Sequence, residues 1–225
     1  MCRSSTLREN KDQSTEYEIA VDNCSAAIAN VSKPVIAAIR GYCLGGGCHL
    51  ALACDFRVAD HSARLGIPSA KLSIVYGVKS VQRLLAIAGL ANAKRMLYSA
   101  ERYAAECAHK MGLVDEICDD AISAAIGYAG TLANNAPLSI AGAKFMLNHL
   151  SMGDGALDMA AAQRMIDVAA DSEDFREGGR SPRRERPASV GVESRIRRRA
   201  NVNSNQPFRG ANETSRLRLY RSKES

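Results

Sequence analysis

The chain has 225 residues, of which 46% are hydrophobic and 24% charged, a balance that excludes fibrous and collagen-like classes. No run of 18 apolar residues occurs, and the polar opening MCRSSTLRENKDQSTEYE lacks the apolar block of a secretory signal, so neither a membrane span nor export is expected. The net charge of +6 is unevenly placed: residues 1–178 carry 17 Lys+Arg against 20 Asp+Glu, and residues 179–225 carry 13 against 4.

In chain order, residues 15–31 place Tyr17, Ala20, Val21, Cys24, Ala27, Ile28 and Val31 at helical spacing, which predicts an amphipathic helix ended by Pro34. The β-branched run from Val35 to about Cys43 predicts one buried strand. Gly45-Gly46-Gly47 follows, and the Ala/Leu-rich stretch from Gly46 to Cys54 predicts a helix. FRVAD at 56–60 and Arg64–Gly66 predict two further short strands. Helical periodicity covers Ser80–Ala88, Ala91–Tyr98 and Ala104–Met111, with Gly89 and Gly112 placed as C-terminal glycines. A strand is predicted at Leu113–Cys118, then helices at Asp120–Asn134, Pro137–Leu150 and Gly155–Asp171. The wide apolar stripes of these last helices are of the kind that pack on a neighbouring subunit. Past Gly178 no period of 2 or 3.6 persists, and an Arg-rich segment with few apolar residues cannot offset its chain entropy; it is expected to be disordered. No internal repeats occur.

The seven cysteines lie mostly in apolar runs, without C-x-x-C spacing, so buried thiols are expected rather than a metal or redox site. With no secretory signal, this fits a reducing, cytoplasmic setting.

The order strand, GGG, helix is the most informative feature. A helix N-terminus presents unpaired N–H groups and a partial positive charge, and glycine lets a ligand approach them closely. Such a turn can bind a phosphate or hold a developing oxyanion. It is neither a G-x-G-x-x-G fingerprint nor a P-loop. Taken alone, it is equally a close-packed turn without a ligand.

The flanking residues change that balance. KPVIAAIRGYCLGGGCHLALACDFRVAD, the long stretch from ARLGIPSAK to MGLVDEI, and DVAADSEDFREG together resemble the enoyl-CoA hydratase/isomerase (crotonase) superfamily, colinearly over about residues 16–178. The resemblance implies an α/β fold, a ββα spiral core followed by a helical region, acting on acyl-CoA thioesters. Three parts are expected: a non-matching segment 1–14, a crotonase-like domain 15–178 whose residues from about 120 onward serve oligomerisation, and a basic tail 179–225. Coenzyme A enters as part of the substrate and no separate cofactor or metal is expected. A homo-oligomer, trimer or hexamer, is implied.

The resemblance places substrate contacts at Gly45, Gly46, Gly47 and Pro68, with the Gly46 N–H as an oxyanion donor. Hydratases of the superfamily carry two glutamates, and the matching positions here are His49 and Ser69. Neither is a carboxylate, which turns the reading away from hydration. His49 is either an acid/base group or a polar residue bonded to a loop. Tyr76 sits where decarboxylase-like members have a tyrosine; it either bonds the substrate or packs at a loop-to-helix junction. Ser69 is read as passive, and His61, His109 and His149 as solvent-facing. The superfamily also has an earlier segment holding the other oxyanion N–H, which finds no match in residues 1–14. The tail departs from the expected ending, as a change of reading frame would produce.

The leading expectation is therefore acyl-CoA chemistry through enolate stabilisation. Decarboxylase-like or isomerase activity and a non-catalytic remnant stand as alternatives. Nucleic-acid binding by residues 180–225 is the competing class; Phe208 and Tyr220 alone offer base stacking there, so nucleic acid is not the expected partner.

Overall fold

The structure is a computed structural model that describes residues 11–152 and 157–180. The expected tail from 181 onward and the segment before Lys11 lie outside the described residues.

The first helix, α1 (Lys11–Asn30), is followed by β1 (Ile36–Ile39) and β2 (Tyr42–Leu44). One continuous strand was expected here. Gly41 breaks it: its φ of +62° turns the chain in a way that side chains with a Cβ resist. The turn is tied on both sides, with the Gly41 N–H donating to the Ser62 Oγ (3.0 Å) and the Gly41 carbonyl accepting from the Arg64 N–H (2.8 Å). The two halves thus enter different sheets.

Helix α2 (Gly46–Ala53) leads to β3 (Phe56–Asp60), β4 (Arg64–Gly66) and a 3-10 turn (Pro68–Leu72). One sheet has the order β1-β3-β6, all parallel, where β6 is Glu116–Cys118; Ile36 pairs with Phe56 and Val58 with Glu116. The other has the order β2-β4-β5, with β5 at Tyr103–Ala104; β2 and β4 are parallel and β4 and β5 antiparallel. The first four strands alternate between the two sheets, β1 and β3 in one and β2 and β4 in the other, so the chain advances over this stretch as a spiral of ββα turns. The crotonase-like α/β expectation is met at this level.

Helix α3 (Val78–Ser99) spans both helices expected between Ser80 and Tyr98. Gly89, at φ +73° and ψ 167°, interrupts it as a kink. Then come α4 (Ala105–Lys110), α5 (Ala121–Ala133), α6 (Pro137–Met152), α7 (Met159–Ala170) and α8 (Glu173–Arg180). The Asp120 and Asp158 side chains cap α5 and α7 by accepting from the Ile122 and Ala161 N–H groups, which start these helices where the sequence changes from polar to apolar.

The core lies between the sheets, α2 and α3, with Leu65, Ile67, Leu84, Met96, Leu113 and Val114 almost fully buried. Two ion pairs fasten its edges. The Arg57 guanidinium donates through Nη2 to both Asp115 carboxylate oxygens (3.1 and 2.8 Å), while the Arg57 N–H donates to the same carboxylate (2.7 Å). The Lys144 Nζ on α6 reaches Asp55 (2.7 Å), whose carboxylate also accepts the Val35 N–H (2.6 Å). These pairs join segments that are far apart in the chain.

Candidate active site

Residues 45–49 turn the end of β2 into α2. Gly45 caps the helix at φ 54° and ψ −116°, a conformation that demands glycine. Its N–H donates to the Gly66 carbonyl (2.9 Å), extending the β2–β4 ladder into the turn. Gly46 and Gly47 open the helix, so their N–H groups are among those without an intrahelical acceptor. The space around Gly45 and Gly47 is open; a Cβ on Gly46 would lie 2.6 Å from the Tyr17 hydroxyl on α1. The rest of α2 is anchored: Cys48, Ala51, Leu52 and Ala53 are all buried. A rigid, buried helix thus presents a bare backbone terminus next to an aromatic hydroxyl.

His49 lies one turn into α2 and is buried. Its Nδ1 is 2.8 Å from the Ser80 hydroxyl of α3, and its Nε2 is 3.6 Å from the Asp22 carboxylate of α1. Burial holds the His49 pKa below the ordinary imidazole value; Asp22 pulls the other way, and Arg83 adds to the lowering. Tyr76 packs beside it with ring centroids 5.8 Å apart, and donates its hydroxyl to the Gly45 carbonyl (3.4 Å). Burial pushes the Tyr76 pKa upward, so the phenol stays protonated as a donor.

The residues singled out in the sequence divide accordingly. Gly45, Gly46, Gly47, His49 and Tyr76 come together. Pro68 starts the 3-10 turn that follows β4, and Ser69 is buried in it, with its carbonyl accepting from Ile74 N–H (3.1 Å). That bond makes Ser69 part of the turn's own scaffold. His61 is exposed and paired with Glu106 (3.0 Å), His109 is exposed and bonds the Val114 carbonyl, and His149 is half-buried against Phe145.

Tyr17, Asp22, Ser80 and Arg83 were missed by sequence reading. The apolar face drawn for the first helix is rotated relative to the one that packs: Cys24 is exposed, while Ser25 is buried and Asp22 is turned toward His49. Two polar residues on the inner side of a helix run against an apolar-face pattern. Among the described residues, no group of three or more His, Cys, Asp or Glu side chains is placed to hold a metal ion.

Comparison with known proteins places the chain in a family. The enoyl-CoA hydratase/isomerase family model matches residues 4–186. The chain is 34% identical over 183 residues to YngF of Bacillus subtilis, named for enoyl-CoA hydratase/isomerase, covering 79% of this chain and 70% of that protein. It is 35% identical to the 2,3-dehydroadipyl-CoA hydratase of Escherichia coli, covering 68% of this chain and 61% of that one. A crystal structure of an enoyl-CoA hydratase/isomerase family protein from Hyphomonas neptunium superposes with a TM-score of 0.72 at 34% identity, over 78% of this chain and 67% of the other. The chain belongs to the enoyl-CoA hydratase/isomerase family and has its crotonase fold. It spans roughly two thirds of the length of these relatives.

Proposed function

We propose that this chain acts on an acyl-CoA thioester by stabilising negative charge on the carbonyl oxygen. The observation that carries the reading is the Gly45–Gly47 turn: a glycine-lined helix N-terminus with open space beside Gly45 and Gly47 and the Tyr17 hydroxyl beside Gly46, set on a buried helix. A thioester oxygen that becomes an enolate oxyanion gains most from donors already fixed in place. The Gly46 N–H is assigned as one such donor. A single donor of this kind is worth about 2.7–4 kcal/mol in other enzymes.

His49 is proposed as the acid/base group. It lies next to the turn, burial keeps its imidazole neutral near pH 7, and the positive end of α2 favours the same neutral form. Tyr76 is assigned a supporting part, since its hydroxyl fixes the Gly45 carbonyl. Ser69 is assigned a role in shaping the wall, and Pro68 and Gly47 in bounding the substrate. Removal or return of a proton beside the carbonyl is the step these groups support. The relatives named for hydration make water addition one outcome of it; the absence of carboxylates at the positions of His49 and Ser69 favours proton transfer without water addition.

The expected homo-oligomer fits the exposed apolar residues Leu147, Leu150, Ile166, Val168 and Phe175 on α6 to α8. A cytoplasmic setting remains part of the proposal; among the described residues no helix is long and apolar enough to cross a membrane.

The test is to incubate the full chain with an acyl-CoA in heavy water and follow deuterium at the carbon next to the carbonyl by mass spectrometry. The proposal expects incorporation that saturates with acyl-CoA and falls at least tenfold in His49→Gln. Incorporation no faster than without protein would refute it. Crotonyl-CoA in the same assay separates water addition from exchange, through loss of the conjugated thioester absorbance.

A further inference from the structure

Two phenols flank the glycine turn, and they meet different atoms of it. Tyr76 donates its hydroxyl to the Gly45 carbonyl (3.4 Å), so its proton is engaged with the backbone. Tyr17, half-buried on α1, stands over Gly46: a Cβ on that glycine would lie 2.6 Å from the Tyr17 hydroxyl and 3.8 Å from the ring carbon that bears it. Helix α1 is also set against α2 one turn further on, where Asp22 faces the His49 ring at 3.6 Å. Gly46 is thus the residue whose missing side chain lets an aromatic hydroxyl reach the start of α2.

The direction of that approach decides what the hydroxyl can do. Along a helix every Cα–Cβ bond leans toward the N-terminus, the end at which the N–H groups of the first turn lack an intrahelical acceptor. A hydroxyl beside the Cβ position of Gly46 therefore lies toward the side that the Gly46 N–H faces. A Cβ is about 2.5 Å from its own backbone nitrogen, which puts the Tyr17 hydroxyl within about 5 Å of the Gly46 nitrogen. Two donors that each reach one oxygen at about 2.9 Å can stand up to about 5.8 Å apart. One ligand oxygen can therefore accept from both.

We infer that Tyr17 is a catalytic residue, whose hydroxyl donates together with the Gly46 N–H to the thioester oxygen as it becomes an enolate. When the C–H bond beside the carbonyl breaks, its electron pair forms the carbon–carbon double bond and the carbonyl π pair moves to oxygen. The released proton goes to the base of the site and later returns, so nothing is consumed. The phenol keeps its own proton throughout and only strengthens its bond to the charged oxygen. Two donors fixed in place hold that charge better than one. The donor role is the same whichever group takes the proton.

A tyrosine that merely packed α1 on α2 would use its ring, and its hydroxyl would be dispensable. The donor role rests on the acyl-CoA reading and is tested with butyryl-CoA carrying ¹³C at the thioester carbonyl. Difference infrared spectroscopy of the full chain with this probe reads the carbonyl stretch of the bound thioester, which falls in frequency as donors polarise the bond. In the wild type the bound band is expected below that of free butyryl-CoA. Tyr17→Phe keeps the ring and is expected to return the band about halfway to the free position, as for loss of one of two donors. In the deuterium exchange assay the same variant should lower kcat at least tenfold with KM within about threefold.

An unmoved band or an unchanged kcat in Tyr17→Phe would overturn the donor role and leave the acyl-CoA reading standing. A lower melting temperature with the band in place would do the same, since it marks a packing residue. Tighter binding or faster exchange in Tyr17→Phe would also overturn it, by showing that the hydroxyl obstructs the turn. No bound band in the wild type would refute the acyl-CoA reading and the donor role together.

Discussion

Gly46 and Gly47 are neighbours in one turn, yet a methyl group added to each meets different surroundings. At Gly47 it enters open space, while at Gly46 it would sit 2.6 Å from the Tyr17 hydroxyl. That hydroxyl is the end of a movable side chain, so Gly46→Ala is expected to fold, with the methyl group and the displaced tyrosine crowding the N–H assigned to the oxyanion. Calorimetric titration with an acyl-CoA should show at least a tenfold weaker complex for Gly46→Ala and less than a threefold change for Gly47→Ala. His49 gives a second prediction, in pH. Its folded pKa lies below the ordinary 6.5, so the unfolded chain binds more protons in the window between the two values. Its contribution to stability is therefore fully present above pH 6.5 and is lost as the pH falls through the folded pKa. Thermal melts from pH 7.5 to 5 should show a smaller loss in His49→Gln than in the wild type; equal losses would contradict the assignment. The glycines and His49 could be read from the chain because they are contiguous and flanked by an apolar strand and an apolar helix. Ser80 could not, because it is 31 residues from His49, on another helix, and nothing local marks it.

At the scale of elements, the long helix α3 is held in two parts by one residue. Gly89 has φ +73° and ψ 167°, with open space where a Cβ would point. Gly89→Ala therefore carries backbone strain without a clash, and is expected to cost about 1–3 kcal/mol in a denaturant titration. The position was legible as a helix end, since glycine there punctuates an apolar periodicity. That the helix resumes directly was not, because periodicity does not encode the angle between the two parts. Lys144 on α6 presents the opposite case. Its buried ammonium ties Asp55, and through it Val35, to the C-terminal helices. Lys144→Met leaves the carboxylate without its cation and is expected to destabilise the chain by about 3 kcal/mol. A change under 0.5 kcal/mol would mean that solvent already compensates Asp55. No sequence pattern revealed this pair, which spans 89 residues, just as none revealed Arg57 with Asp115. Gly41, which divides the expected strand between two sheets, was visible only as a glycine in a β-branched run.

At the scale of the whole molecule, the fold was legible because the colinear motifs from KPVIAA to SEDFREG order the ββα turns. Exposed apolar side chains on α6 to α8 lead to the expectation that the full chain sediments or scatters light as three or six times 24.1 kDa. A concentration-independent mass of 24.1 kDa would count against the oligomer. The net charge of +6 no longer directs the functional reading, since the residues forming the site lie in the part of the chain with more acidic than basic groups. The most direct measurement is calorimetric titration of the full chain with crotonyl-CoA beside the Gly46→Ala variant. Saturable binding by the wild type, weakened at least tenfold by the added methyl group, is the predicted result. Absence of binding by the wild type, or equal affinity in both proteins, would contradict an acyl-CoA site at the glycine turn.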